Sequence, residues 1–177
     1  MAHIHTNPGE YDGTSSALIM RFDTPEMQLL LHVHKKFKRL MQPGGHVELT
    51  ETPWQAVLRE VIEETGYSLG QLTLLQPKQR LTHLSHGTLH PVPVCESSHQ
   101  IGDEHRHTDR AYAFATNSPP SCLPAAGEST KFLWINTGEL SRLPQSEIGS
   151  DIREIGLYAL NHCALEWERV PLNMFDC

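Results

Sequence analysis

The chain has 177 residues, of which 38% are apolar and 20% charged, a balance typical of a single globular domain with its own core. Its formal net charge of −7 argues against a nucleic acid polymer as the main partner. No apolar run approaches the ~18 residues of a membrane span, the N-terminus lacks a signal-peptide core, and four cysteines without C-x-x-C spacing predict free thiols in a reducing cytoplasm.

The chain is predicted to open with an arm and a hairpin. Residues 1–12 are expected to be irregular, and His3 and His5 within them are more typical of a mobile terminus than of a metal site. Residues 15–22 and 27–33 are apolar and strand-like, and turn formers separate them, which predicts a β-hairpin. Both runs are too continuously apolar for a sheet with one wet face, so we expect helices on both faces.

A basic segment, HKKFKR at residues 34–39, follows the hairpin. It has two interpretations, and the sequence leaves both open. It is either a solvated loop, or it brings Lys36 and Arg39 to phosphate groups, where the charge of lysine and arginine is most useful.

Residues 44–67, GGHVELTETPWQAVLREVIEETGY, contain the best-marked helix of the chain. Thr52 is a good N-cap, and Gln55 three positions later completes a capping box. Proline suits the first helical position, and Gly66 can end the helix in a left-handed conformation. The pattern therefore predicts a helix over Pro53–Thr65.

The helix is predicted to have an apolar arc and an acidic arc. With about 100° for each residue, the apolar arc that should face the core consists of Trp54, Leu58, Val61 and Ile62. The acidic arc consists of Glu60, Glu63 and Glu64, called the helix glutamates below. Neighbouring carboxylates repel one another, so they indicate either a solvated surface or a divalent cation with oxygen ligands.

The spacing of this stretch fits the pattern G-x5-E-x7-R-E-U-x-E-E-x-G-U, where U is a bulky aliphatic residue. The matching positions are Gly45, Glu51, Arg59, Glu60, Val61, Glu63, Glu64 and Gly66. The one departure is Tyr67 in the last aliphatic position. The stretch resembles the signature of the Nudix hydrolase superfamily; the layout of residues 14–145 is similar to that family, although only 44–67 is specific to it.

The resemblance implies an α/β fold, an α/β/α sandwich with a mixed sheet. By its length the chain is expected to be a single domain over residues 1–177. It implies hydrolysis of a nucleoside diphosphate linked to another group, with Mg²⁺ or Mn²⁺ as cofactor and water as the attacking group. By position, the helix glutamates and the carbonyl of Gly44 resemble the metal ligands, and Glu51 and Arg59 resemble the pair that orients the carboxylates. Glu60 or a loop acid would be the general base, and the resemblance leaves a homodimer open.

The middle of the chain is less regular but ends in a clear strand. Residues 71–75 are strand-like, 88–95 alternate weakly between prolines, and 101–104 are expected to turn. The following residues, His105–Thr116, alternate well enough to predict a strand, with one face that begins with His105, His107 and Asp109.

That histidine-rich strand has three interpretations. Its segment is similar to one in some Nudix subfamilies that crosses near the active site, which implies substrate contacts by His105, His107 or Asp109. A zinc site that adds Cys95 and His99 is an alternative, although its spacing fits no strong template. Ordinary polar strand residues are the third interpretation.

The last third of the chain is predicted to supply an acid and to close the domain. Residues 117–130 are loop-like, and Glu128 within them is the candidate for the further acidic ligand or base that many Nudix enzymes place there, with Glu104 as second choice. A strand over 131–135 and a turn over 137–140 follow. Residues 146–177 are expected to form a closing helix, over 148–167, and a loosely held tail.

Two other functions on the same fold stay open. One is a non-catalytic module that senses a nucleotide or metabolite, although such modules usually lose motif glutamates, and all of them are present here. The other is an isomerase. The sequence does not choose between a nucleoside triphosphate, ADP-ribose, a nucleotide sugar and a dinucleoside polyphosphate as substrate.

Overall fold

A computed structural model describes Asn7 and residues 9–101 and 105–175. The predictions for His3, His5 and Glu104 lie outside these residues. The strands are β1 (Tyr11–Arg21), β2 (Gln28–Val33), β3 (Leu40–Met41), β4 (Gly44–His46), β5 (Thr73–Gln76), β6 (Cys95–Ile101), β7 (His105–Thr116), β8 (Phe132–Asn136) and β9 (Glu168–Val170). The helices are α1 (Pro53–Thr65), α2 (Thr137–Arg142), α3 (Ser150–Tyr158), which continues through a π-helical turn (Ala159–Cys163), and α4 (Ala164–Glu166).

The strands form one mixed sheet, as expected for the α/β class. Its main path is β3-β2-β1-β7-β5-β9, with β4 paired to β1, β6 to β7 and β8 to β2. The long strands β1 and β7 are parallel, and the other pairs are antiparallel. The predicted hairpin is confirmed, since β1 and β2 pair in antiparallel register at Met20 and Leu29.

Helices cover both faces of the sheet, which confirms the prediction from its apolar strands. On one face, Ala17 and Ile19 of β1 pack with Trp54 and other residues of α1. On the opposite face, alternate residues such as Leu18 pack with the helices near the C-terminus, for example through Leu160. We call these the α1 face and the α3 face. Among the described residues, no helix has both the length and the apolar character needed to cross a membrane.

The prediction for α1 is confirmed at both ends. The Thr52 hydroxyl and the Gln55 backbone and side chain form a reciprocal capping box, and Gly66 ends the helix with a φ of 74°. A Cβ on Gly66 would collide with a carbonyl of the loop that packs against it, so both its conformation and its surroundings require glycine.

The predicted apolar arc of α1 is wrong at Ile62, which is 46% exposed. Glu60 and Glu64 are buried instead, with exposed fractions of 2% and 5%. The centre of the buried arc lies near Val57, because α1 packs on the sheet with its acidic edge turned toward β4. A helical wheel gives the relative directions of the side chains around α1, but packing against the sheet determines which of these side chains are buried.

Three predictions outside α1 and the closing segment need correction. The arm over 1–12 is too long, since Tyr11 and Asp12 pair with β7 as the first residues of β1. No strand forms over 88–94, where prolines remove backbone donors; pairing begins with β6 at Cys95. The turn after β8 is the short helix α2, capped by Asn136 through a capping box.

The closing helix is confirmed in outline, over residues 150–166, but its tail is not loosely held. Strand β9 pairs with β5, with Val170 opposite Leu74. Leu172 and Phe175 are buried, and the ring of Phe175 lies edge-on to Trp54 at 6.2 Å between centroids. A short apolar segment between polar residues has too weak a periodicity to predict this docking.

Candidate functional site

A single guanidinium organises the acidic groups at the end of β4. Nε and Nη2 of Arg59 donate to the two carboxylate oxygens of Glu51 at 3.2 and 2.7 Å, and Nη1 donates to Glu60 at 2.7 Å and to Glu63 at 3.3 Å. Nη2 also donates to the carbonyl of His46 at 3.0 Å. Arg59 therefore binds three carboxylates and fixes them against the backbone of β4.

These contacts and burial act in opposite directions on the carboxyl groups. The hydrogen bond from Arg59 lowers the pKa of Glu51. Burial raises the pKa of Glu60, although Arg59 pulls it the other way and the charge of Glu63 adds to the rise. The pKa of Arg59 is itself raised, mainly by Glu51, so the guanidinium stays charged.

Glu64 lies deeper and has no charged partner among the described residues. Its carboxylate accepts the backbone N–H of Gly44 at 2.8 Å, and Nε2 of His32 lies 4.0 Å away. Burial raises the pKa of Glu64 to about 8, helped by the charges of Glu60 and Glu128, while burial lowers the pKa of His32 to about 4. His32 is therefore neutral near pH 7 and does not balance the charge of an ionised Glu64.

The glycine before the motif is required by close packing. A Cβ on Gly44 would collide with the carbonyl oxygen of Ser15 and lie 2.7 Å from Cα of Ser16. This approach lets the backbone of Gly44 sit against β1 while its N–H reaches Glu64. The structure thus brings Gly44 together with Glu64, one of the helix glutamates.

The structure also brings Glu128 to this group. The loop before β8 is tied to the end of α1 by hydrogen bonds from the N–H of Cys122 to the carbonyl of Gly66 and from that of Ala125 to the carbonyl of Glu63. Glu128 is half-buried beyond these contacts, and its charge raises the pKa of both Glu60 and Glu64. Glu128 is therefore part of the same electrostatic site, although it lies 64 residues after Glu64 in sequence.

The two basic candidates differ in their surroundings. Lys36 is exposed, with its ammonium 5.7 Å from the centroid of the Phe37 ring. Arg39 donates to the carbonyls of Gln145 and Ile148, the latter at 3.1 Å, and so ties its loop to the segment before α3. The structure leaves Lys36 accessible to an anion and gives Arg39 an internal partner.

The three candidates on β7 are not brought together with the helix glutamates. His105, His107 and Asp109 alternate with residues such as Tyr112 that pack on the α1 face, so they lie on the α3 face. Asp109 accepts hydrogen bonds from the hydroxyls of Thr14 at 2.9 Å and Ser16 at 2.7 Å. The backbone of the sheet separates all three from α1.

Sequence reasoning missed residues that come close to both groups. His32 lies beside Glu64, and its only signal was a histidine inside an otherwise apolar strand. Asp12 and His46 lie beside His105 and His107, with the Asp12 carboxylate 2.9 Å from Nε2 of His105 and 3.6 Å from Nε2 of His46. Strand register brings these residues together, and no local spacing in the chain signals it.

The acidic site has the chemistry of a hard-cation site. Its donors are carboxylate oxygens and the backbone of Gly44, and such oxygens are what Mg²⁺ and similar ions prefer. Burial without a cationic partner raises the pKa of Glu64 to about 8, and a divalent ion would favour its ionised form. The other carboxylates of the site would repel phosphate unless a cation were bound first.

Comparison with known proteins gives one consistent result. The model of the NUDIX domain matches residues 13–151. A probable DHNTP pyrophosphohydrolase of Lactococcus lactis is 30% identical over 99 residues, which are 56% of this chain and 51% of that protein. The match therefore spans about half the length of this curated relative.

Solved structures agree in fold. A NUDIX-family hydrolase from Clostridium perfringens is 30% identical, with a TM-score of 0.70 over 85% of this chain and 96% of the other. The dihydroneopterin triphosphate pyrophosphohydrolase of E. coli, 19% identical, has a TM-score of 0.57 over 87% and 97% of the two chains, which is a likeness of fold alone.

Proposed function

This chain belongs to the NUDIX domain family of hydrolases, as the motif indicated, and from that membership we propose that it is a metal-dependent pyrophosphohydrolase. Its substrate would be a nucleoside diphosphate, in the broad sense, linked to another group. The observation that carries the proposal is the group of acids around Arg59, in which Glu64 is buried on the N–H of Gly44 and has no charged partner among the described residues.

We propose that the helix glutamates and the carbonyl of Gly44 hold the cation, Mg²⁺ or Mn²⁺. When bound, it would neutralise the diphosphate, position water near phosphorus and stabilise the departing phosphate oxygen. Glu51 and Arg59 would keep the carboxylates in place, since a bidentate arginine contact fixes a carboxylate rotamer. The donor set fits a hard cation because all of its ligands are oxygens.

The chain's own residues would direct the proton transfer. As the water oxygen attacks phosphorus and the bond to the leaving phosphate oxygen breaks, a carboxylate takes the proton of the water. Glu60, with its raised pKa, and Glu128, on the loop bound to α1, are the two candidates for this base. Lys36 is an exposed cation that could meet the outer phosphates. Substrate contacts by Arg39, His105, His107 and Asp109 remain predictions that the present contacts do not favour.

The relatives suggest where to look for the substrate. A panel of candidate substrates should include dihydroneopterin triphosphate. The name of the E. coli enzyme contains this compound, and the name of the Lactococcus relative carries its abbreviation. Nucleoside triphosphates, ADP-ribose, nucleotide sugars and dinucleoside polyphosphates complete the panel. All share a diphosphate bond that the proposed site could cleave.

The test is turnover of this panel in Mg²⁺ or Mn²⁺, with identification of the products. Glu64→Gln and Glu60→Gln should abolish turnover while the circular dichroism spectrum stays unchanged, and Glu166→Gln on α4, an exposed glutamate far along the chain, is the control that should keep it. Metal-dependent turnover of one compound would identify the substrate and the bond cleaved. Full activity in both site variants would refute the site.

The same experiment separates a hydrolase from a sensing module. No turnover of any compound, together with nucleotide binding in a calorimeter, would contradict the proposal and favour a non-catalytic module. In an active enzyme, the pH–rate profile of Glu128→Gln compared with that of wild type assigns the base, because only loss of the base removes the limb in which it must be ionised; a retained limb would leave Glu60 as the base.

A further inference from the structure

Four metal-ligating side chains converge on the α3 face of the sheet, away from the helix glutamates. One ligand atom of each lies within 4.8 Å of the ligand atoms of all the others. We call this group the histidine cluster: Asp12, His46, His105 and His107.

Three strands build this cluster through their register. Asp12 of β1 pairs with His107 of β7 in parallel register, and His105 lies two positions before His107 on the same face. His46 of β4 pairs with Thr14 of β1, two positions after Asp12. The imidazole of His107 lies 4.9 Å from that of His46 and 5.0 Å from that of His105, between ring centroids.

We propose that the histidine cluster binds one divalent transition-metal ion of the zinc class. This site is separate from the proposed Mg²⁺ site and does not depend on it. Three imidazoles and one carboxylate are a donor set that suits Zn²⁺ and its neighbours in the first row, whereas Mg²⁺ prefers oxygen donors throughout.

The distances suit a tetrahedral ion. Zinc bonds to nitrogen and oxygen of about 2.0–2.1 Å place tetrahedral ligand atoms roughly 3.4 Å apart. The oxygen of Asp12 is 2.9 Å from Nε2 of His105 and 3.6 Å from Nε2 of His46, which brackets that separation. The ligand atoms of all four residues lie within 4.8 Å of one another, and binding of the ion would draw the more distant ones closer together.

The contacts extend beyond a single ion pair. Asp12 is 1% exposed, and its carboxylate lies 2.9 Å from Nε2 of His105 and 3.6 Å from Nε2 of His46. The ring of His107 lies edge-on to the rings of both histidines, so three imidazoles and one buried carboxylate lie together. Convergence of imidazole and carboxylate donors of this kind is typical of a transition-metal site.

The ligand set differs from the zinc site considered from sequence. Cys95 pairs with Ala111 at the start of β6, four positions and about 13 Å along the strand from His99. His99 pairs with His107 and its ring lies 5.4 Å away, but it is exposed and does not belong to the compact group of ligand atoms. Asp12 and His46 take the places that spacing alone had given to Cys95 and His99.

Four protein ligands leave no open position on a tetrahedral ion, which is the arrangement of a structural site. The ion would join β1, β4 and β7, and so would fix β4, whose backbone receives Arg59 at His46 and supports Glu64 at Gly44. Zinc should therefore raise the melting temperature, because it binds only the folded chain.

The experiment is metal binding by the full chain, produced without a histidine tag. The stripped protein is mixed with Zn²⁺ in excess Mg²⁺, desalted and analysed for zinc and protein. We expect about one zinc for each chain, a rise in melting temperature of about 5 °C or more in excess zinc, and the intense visible absorption of a four-coordinate site when Co²⁺ replaces zinc.

Matched variants test the ligand assignment. His107→Gln and Asp12→Asn should lose the retained zinc and the cobalt absorption, whereas His99→Gln, a histidine on the neighbouring strand and the same face, should keep both. Glu64→Gln should also keep both, which separates this site from the acidic one. Retention of zinc by His107→Gln and Asp12→Asn, or its equal loss in His99→Gln, would overturn the assignment.

The wild-type chain alone decides the question if the ligand variants do not fold. X-ray absorption of its zinc complex should show imidazole scattering from histidine ligands. Absence of retained zinc in the folded wild-type chain, or a shell of oxygen ligands only, would refute the site and leave the cluster as a network of polar contacts.

Discussion

Glu64→Gln is the sharpest test of the electrostatics of the acidic site, because it predicts a gain of stability together with a loss of function. The substitution removes the charge and keeps an oxygen that can accept the N–H of Gly44, now 2.8 Å from the carboxylate. In metal-free protein, ionised Glu64 is buried beside neutral His32 and is repelled by three other acids, Glu60, Glu63 and Glu128. We therefore expect the glutamine variant to be the more stable protein above neutral pH when chelator is present.

The magnitude follows from the pKa of Glu64, which rises from 4.5 to about 8 on folding. The folded state then holds a proton that the unfolded state has lost between these two values, so this group makes stability fall as pH rises from about 4.5 to 8. At about 1.4 kcal/mol for each pH unit, the upper limit is about 5 kcal/mol. Even about 2 kcal/mol would separate the melting temperatures by about 4–8 °C in a chain of this size.

The assay is thermal unfolding of wild type and Glu64→Gln between pH 5 and 9 in chelator. The two melting curves should diverge steadily above pH 5, with the variant higher by pH 8. Addition of Mg²⁺ should reverse the order, since the ion stabilises only the protein that keeps the carboxylate. If the melting temperatures of wild type and Glu64→Gln depend on pH in the same way in chelator, then Glu64 is not buried without a partner for its charge. That result would refute the reasoning.

Three further predictions concern the supports of the site. Arg59→Lys, which cannot keep the two-pronged contact with Glu51, should lower turnover about 100-fold with the fold preserved, as measured by steady-state kinetics and circular dichroism. Gly44→Ala should destabilise the protein by about 3 kcal/mol in chemical denaturation, because its Cβ meets the backbone of β1, whereas Gly70→Ala, with open space around it, should change stability little. Phe175→Ala should cost about 3 kcal/mol in the same assay; an unchanged midpoint would mean that the tail is not docked on Trp54.

The helix and its caps could be predicted because their causes are local. The capping box of Thr52 and Gln55 lies within four residues, and the left-handed stop at Gly66 needs only one. The same holds for β7, whose alternation was visible over His105–Thr116. For the helix caps the local sequence contains the whole interaction, whereas for β7 it shows the alternation of side chains but not the strands that pair with it.

The side of α1 that is buried could not be predicted, because it depends on how the helix packs on the sheet. Apolarity alone favoured an arc that includes Ile62, but the backbone of β4 offers an N–H at Gly44 and a carbonyl at His46 that polar side chains can use. Glu64 and Arg59 form hydrogen bonds with these two groups, and the rotation of α1 about its own axis is set accordingly. The tail was missed for a similar reason, since β9 is defined by its pairing with β5 and not by its own pattern.

The histidine cluster shows the limit of reading metal sites from spacing. His105 and His107 are two positions apart in the chain, but their partners lie on β1 and β4, about 95 and 60 residues away in sequence. Register in a β-sheet depends on all the pairs of two strands together, so no local pattern announces which residues meet at one point. Cys95 and His99, which lie nearer in sequence, were therefore the partners that spacing offered for the zinc alternative.

The short strand β4 is what connects the two faces of this molecule. Its backbone N–H at Gly44 holds Glu64 and its carbonyl at His46 holds Arg59 on the α1 face, while the His46 side chain joins Asp12 on the α3 face. A strand as short as β4 makes few backbone hydrogen bonds. Its antiparallel pairing to β1 is therefore supported by the contacts with these side chains. Loss of order in β4 would displace the supports of the helix glutamates and the proposed zinc ligand at once, so the packing that requires Gly44 supports both groups.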